Sequence, residues 1–193
     1  MKSSIVRRIV KAAALKLKPL MKLILGAFFD REFLRGRHFE DGFSGYIWGF
    51  HCIWTRNILR LEPVCRFPIS HRAKISNPMN IDFHVDDLNN FQSPGIYLQN
   101  FSGNIVIGRG TYIAPNVGII TANHDLVNLD QHVQGENVII GEGCWIGMNS
   151  VILPGVTLGD KTIVGAGSVV TKSFTEGGCI IAGNPARVIR KVV

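Results

Sequence analysis

VIIGEGCWIGMNSVILPGVTLGDKTIVGAGSVVTKS, residues 138–173, decides how this chain folds. Within it Ile140, Ile146, Ile152, Leu158, Val164 and Val170 recur at a constant step, and the same step appears upstream at Ile107, Ile113 and Ile119. The residue after the aliphatic is commonly small (Gly108, Ala114, Gly141, Gly147, Gly159, Gly165). The fifth of each unit is small or β-branched (Thr111, Val117, Cys144, Ser150, Val156, Thr162, Ser168). Neither the helical period nor simple strand alternation produces this pattern. One large inward aliphatic, one smaller inward residue and a Gly-rich bend make one side of a coil. Three sides close a turn of a parallel β-solenoid, and successive turns cover one another's apolar rungs.

Upstream, Ile69, Ile75 and Ile81 form a less regular set that places the first turn near residue 69. The chain then divides into a basic amphipathic helical extension (1–37), an irregular, aromatic-rich capping segment (38–68) and the solenoid (69–193), whose repeat is interrupted by an inserted loop (125–139). In the extension, Ile5, Ile9, Ala13, Leu17, Leu20 and Ile24 recur at helical steps over residues 3–29, and Pro19 is expected to kink or divide the helix.

The formal charge of +7 is concentrated at the front, where residues 1–37 carry ten basic residues against Asp30 and Glu32. The remainder is close to neutral, which argues against a nucleic-acid binder that tracks phosphates across its whole fold. The extension suits an interfacial helix on anionic lipid, a peripheral membrane contact through residues 1–30. It equally suits a helix packed on its own domain or a sister subunit with its basic face solvated. Four widely spaced cysteines (Cys52, Cys65, Cys144, Cys179) indicate neither a zinc site nor a disulfide framework, and no apolar run is long enough to span a bilayer. A cytoplasmic protein without an export signal is the expectation.

Three segments carry a family resemblance: IGRGTYIAPNVGIITANHD (107–125), the stretch quoted above, and AGNPARVIRKV (182–192). They resemble the hexapeptide-repeat acetyltransferases, the branch of maltose, galactoside and xenobiotic acetyltransferases and of capsule and lipopolysaccharide O-acetyltransferases. The resemblance implies an all-β left-handed parallel β-helix, although spacing alone would favour the right-handed crossover. It also implies a homotrimer with acetyl-CoA in the groove between subunits and a saccharide hydroxyl as acceptor. Serine or an antibiotic is an alternative acceptor, and a non-catalytic scaffold or membrane adaptor is an alternative role.

His124 matches the family's catalytic histidine through its NHD context, and an imidazole suits a base for an acceptor hydroxyl. The backbone N–H of Met148 would hold the oxyanion. Trp145 would line the cofactor channel or pack on the next coil. Lys172, Arg187 and Arg190 would meet the cofactor's phosphates, with Ala166 and Thr171 giving main-chain contacts; the bland alternative is a solvated basic tail. What orients His124 is left open between Asp125, a backbone carbonyl, Asp82, Asp86 and Asn100, with Asn100 and Asp125 named as acceptor-binding. No metal is expected: the β-helical carbonic anhydrases need three histidines, and after His84 only His124 and His132 remain. Ser168 lacks a nucleophile elbow, so direct transfer is favoured over an acyl-enzyme.

Overall fold

The computed structural model describes residues 15–192. The six-residue units fold into short parallel strands on three faces. The first face stacks β1 (Lys74–Ile75), β3 (Tyr97–Gln99), β6 (Gly118–Ile120), β9 (Val151–Ile152) and β12 (Val169–Val170). The second stacks β2 (Ile81–Phe83), β4 (Ile105–Ile107), β7 (Val138–Ile140) and β10 (Thr157–Leu158). The third holds β5 (Tyr112–Ile113), β8 (Trp145–Ile146), β11 (Ile163–Val164), β13 (Cys179–Gly183) and β14 (Ala186–Lys191).

Register turns the repeat into columns. On the first face Ile75, Leu98, Ile119, Ile152 and Val170 lie one above another. Phe83, Ile107, Ile140 and Leu158 do so on the second, and Ile113, Ile146, Val164 and Ile181 on the third. All are buried, and each such side chain contributes about 1.5–3 kcal/mol relative to exposure. The smaller fifth positions are buried as well, and their hydroxyls are satisfied: Ser150, Thr162 and Ser168 each donate to the carbonyl three residues earlier at 2.6 Å. A polar residue is tolerated there because it closes its own corner.

Seven corners each contain a residue in the left-handed region: Gly110, Asn116, Gly143, Asn149, Gly155, Lys161 and Gly167. Gly147 is required for a different reason, since a Cβ there would come within 2.6 Å of the Val164 carbonyl and the Ala166 nitrogen in the next coil.

The ends are closed by unlike devices. The segment 38–68, expected to be irregular, instead contains a helix, α2 (Ser44–Cys52), continued by a π turn over Ile53–Ile58. Its glycines are contact points: Cβ atoms at Gly45 and Gly49 would meet the Phe39 ring at 2.6 Å and Leu25 at 2.8 Å. Because Gly ordinarily weakens a helix, the sequence hides one whose close packing needs it. Buried Arg56 fastens this cap to the first coil by donating to the carbonyls of Pro63 (2.7 Å), Ser70 (2.9 Å) and Ala73 (2.6 Å). Phe67 packs against Phe83 and Phe91, so cap and solenoid share one core.

In the first coil the third face has no strand; a 3-10 segment, Val85–Gln92, stands there instead. Its Asn90 carboxamide donates to the Thr111 carbonyl at 2.8 Å and accepts from Ile113 N at 3.0 Å, covering the edge of β5 as a neighbouring strand would. At the far end β14 turns back antiparallel on β13 and shields the third face.

The front helix, α1, is described over residues 15–25 and passes through Pro19 undivided, contrary to expectation. The part of the expected helix over residues 3–14 lies outside the described residues.

Candidate active site

The prism has three edges, and the expected site residues divide between two of them. His124 follows β6 and precedes β7, on the edge between the first and second faces. The insertion there leaves after Ala122 and has returned by Glu136, whose N–H donates to the Thr121 carbonyl at 2.7 Å. It is therefore shifted towards the N-terminus from the expected 125–139, because Val138–Ile140 already pair with Ile105–Ile107. His124 stands at the base of this loop, bridged antiparallel to His132.

Loop geometry fixes the imidazole. His124 Nδ1 lies 2.7 Å from the Leu129 carbonyl oxygen, which can only accept, so Nδ1 carries the hydrogen and Nε2 of the neutral ring keeps its lone pair. The His132 ring lies against it at 4.2 Å between centroids, and Phe101 meets His132 edge-on at 4.8 Å. Among the orienting groups left open by the sequence, the structure picks a backbone carbonyl.

Asp125 has a different task from the one expected. Its Oδ1 accepts from Val127 N at 2.7 Å and Asn128 N at 2.9 Å, shaping the turn that presents the Leu129 carbonyl. Those two N–H groups hold its carboxyl below the usual carboxylate range. Asn100 corrects the sequence reading outright. It is fully buried, its carboxamide oxygen accepts from Asn77 N, and its nitrogen donates to the carbonyls of Asn77 and Asn80. Saturated inside a corner, it has nothing left to offer an acceptor or an imidazole. Asp82 and Asp86 likewise make no contact with His124; Asp86 instead accepts from Arg37 N and pairs with Arg109.

Met148 lies between β8 and β9, on the edge joining the third and first faces. Its carbonyl accepts from Gly167 N at 2.8 Å, whereas its own N–H has no acceptor among the described residues. Ala166 occupies the same edge one coil on. Trp145, about half exposed, points outward from the third face in register with Tyr112 and Ile163. Arg187 and Arg190 lie on β14, exposed, opposite Ala182 and Ile180. Thr171 and Lys172 follow β12 and so return to the His124 edge. Within one chain His124 and Met148 thus lie on different edges, either side of the first face.

Residues 137–172 match the family model described as bacterial transferase hexapeptide (six repeats). The chain is 41% identical over 92 residues to the galactoside O-acetyltransferase of Escherichia coli and 37% identical over 92 residues to that of Lactococcus lactis; each match takes in 46% of this chain and 44% of the relative. It thus spans less than half the length of these curated relatives. Among solved structures it is similar to a galactoside acetyltransferase in complex with coenzyme A, at 30% identity over 63% of each chain with a TM-score of 0.48. The solenoid carries the hexapeptide repeat of the bacterial transferases, and its three-faced parallel stack is a left-handed parallel β-helix. Over residues 137–172 its repeat matches that of the bacterial transferases, and over about 92 residues the chain is similar to galactoside O-acetyltransferases.

Proposed function

We propose that this chain is an acetyl-CoA-dependent O-acetyltransferase for a saccharide hydroxyl, with His124 as general base in a direct transfer. The observation that carries the reading is the 2.7 Å contact between His124 Nδ1 and the Leu129 carbonyl, which leaves the Nε2 lone pair of an exposed ring to take a proton. The acceptor's O–H gives its proton to Nε2 as its oxygen attacks the thioester carbonyl. The oxyanion of the tetrahedral intermediate takes the Met148 N–H, an amide with no other acceptor among the described residues. Collapse breaks the C–S bond, and the departing thiolate recovers the proton from the imidazolium.

Because His124 and Met148 occupy different edges of one prism, the reaction needs the His124 edge of one subunit against the Met148 edge of the next. A cyclic homotrimer supplies three such identical contacts. Lys172 from one side and Arg187 and Arg190 from the other then flank the same groove, where the phosphates of coenzyme A would lie. The galactoside named for the relatives motivates the acceptor class. Acetyl-CoA consumption measured against galactosides, maltose and nucleotide sugars tests it. His124→Ala should lower kcat by about 10²–10⁴-fold with little change in the KM for acetyl-CoA. Unchanged turnover in that variant would remove His124 from the mechanism.

A further inference from the structure

The helices of the cap face the wrong way for a protein surrounded only by water. On α1 two of the three lysines turn towards the cap: Lys18 Nζ donates to the Phe39 and Glu40 carbonyls at 2.8 and 2.9 Å, and Lys22 pairs with Glu40 at 3.2 Å, while Lys16 stays exposed. Leu25 packs inward, but most of the apolar side chains turn out. Leu17, Leu20, Leu23 and Ile24, with Phe28 just beyond the helix, are all exposed, Leu23 at 70%. Of the partners left open for the apolar stripe, its own domain does not cover Leu17, Leu20 and Ile24.

The helix that packs on α1 repeats the pattern. Leu25 sits against Gly49 of α2, and α2 with its π turn exposes Ile47 (65%), Phe50, Trp54 (54%) and Ile58 at helical steps. Exposed apolar side chains on this scale mark a contact surface.

Charge selects the occupant. Residues 1–29 contain seven basic residues and no Asp or Glu, and residues 42–61 also contain no acid. Lys16 on α1, Arg31 and Arg35 following it in the chain, and Arg60 just after the π turn are exposed. A second copy would bring two such cationic segments together, whereas an anionic bilayer surface accepts both the apolar side chains and the charge. No described helix is long and apolar enough to cross a membrane. We propose that α1 and α2 together are a platform that seats the protein on an anionic lipid surface, apolar side chains in the interface and basic residues among the headgroups.

The full chain is sedimented with phosphatidylcholine vesicles with and without phosphatidylglycerol, with light scattering run in parallel. The protein should pellet with the anionic vesicles, be released by high salt, and lose at least about tenfold in binding as Leu20→Glu/Leu23→Glu or as Trp54→Glu. In case a variant misfolds, the unaltered protein gives a second reading: brominated lipid should quench its tryptophan fluorescence through Trp54. Protein left in the supernatant with anionic vesicles, equal binding to neutral ones, no quenching, or folded variants that bind undiminished would each overturn the proposal. So would an assembly whose mass falls on these substitutions, which would make a second copy the occupant.

Discussion

Lys161 is the exception in a series. The left-handed corner residues run Gly110, Asn116, Gly143, Asn149, Gly155, Lys161, Gly167, and only lysine lacks the means to sit there without strain. Lys161→Gly or Lys161→Asn is expected to stabilise the fold by about 1 kcal/mol, raising the melting temperature by about 2–4 °C. The alternation of Gly and Asn was present in the sequence, but the repeat was read from its inward aliphatics, so this second periodicity went unused. The place of His124 beside an insertion was legible in the sequence; the carbonyl that holds its ring was not, since a main-chain group leaves no side-chain signature. Asp125 offers a check on that arrangement. Its folded pKa is lowered, so its turn-forming bonds are fully present above the unfolded value and are lost as pH falls through the lower folded value. Asp125→Asn keeps an acceptor oxygen and should retain most activity. Asp125→Ala should lower kcat by about tenfold and speed hydrogen exchange at Val127 and Asn128, through loss of imidazole positioning.

Among the elements, the columns behave as the spacing foretold. Ile152→Ala, stacked between Ile119 and Val170 on the first face, is expected to cost about 2–5 kcal/mol, measurable by denaturant titration. The caps were far less legible, because they obey no repeat. Asn90 replaces a strand with a single carboxamide, α2 is built around glycines that read as helix breakers, and Arg56 reaches carbonyls up to 17 residues away in sequence. Arg56→Met should therefore destabilise by about 3 kcal/mol, since the carbonyls of Pro63, Ser70 and buried Ala73 lose their donor. An unchanged denaturation midpoint would mean that the cap is held by its apolar contacts alone.

For the whole molecule, the distribution of site residues matters more than any one of them. The repeat told where each lies along the chain; only the assignment of strands to faces revealed that His124 and Met148 occupy separate edges of the prism. The proposed transfer requires a neighbour to complete the groove, and the loop that carries His124 fits that demand: Leu126 (95%) and Val127 (97%) project almost fully exposed. The central claim is this division of the site between subunits, and mixing tests it most directly. His124→Ala subunits, lacking the base, are unfolded and refolded together with Ala166→Trp subunits, whose opposite edge is blocked. With random assembly in equal amounts, about a quarter of the interfaces combine two intact edges, so the mixture should recover about a quarter of the unaltered activity from two inactive parents. A mixture as inactive as its parents, despite proven co-assembly, would contradict the account.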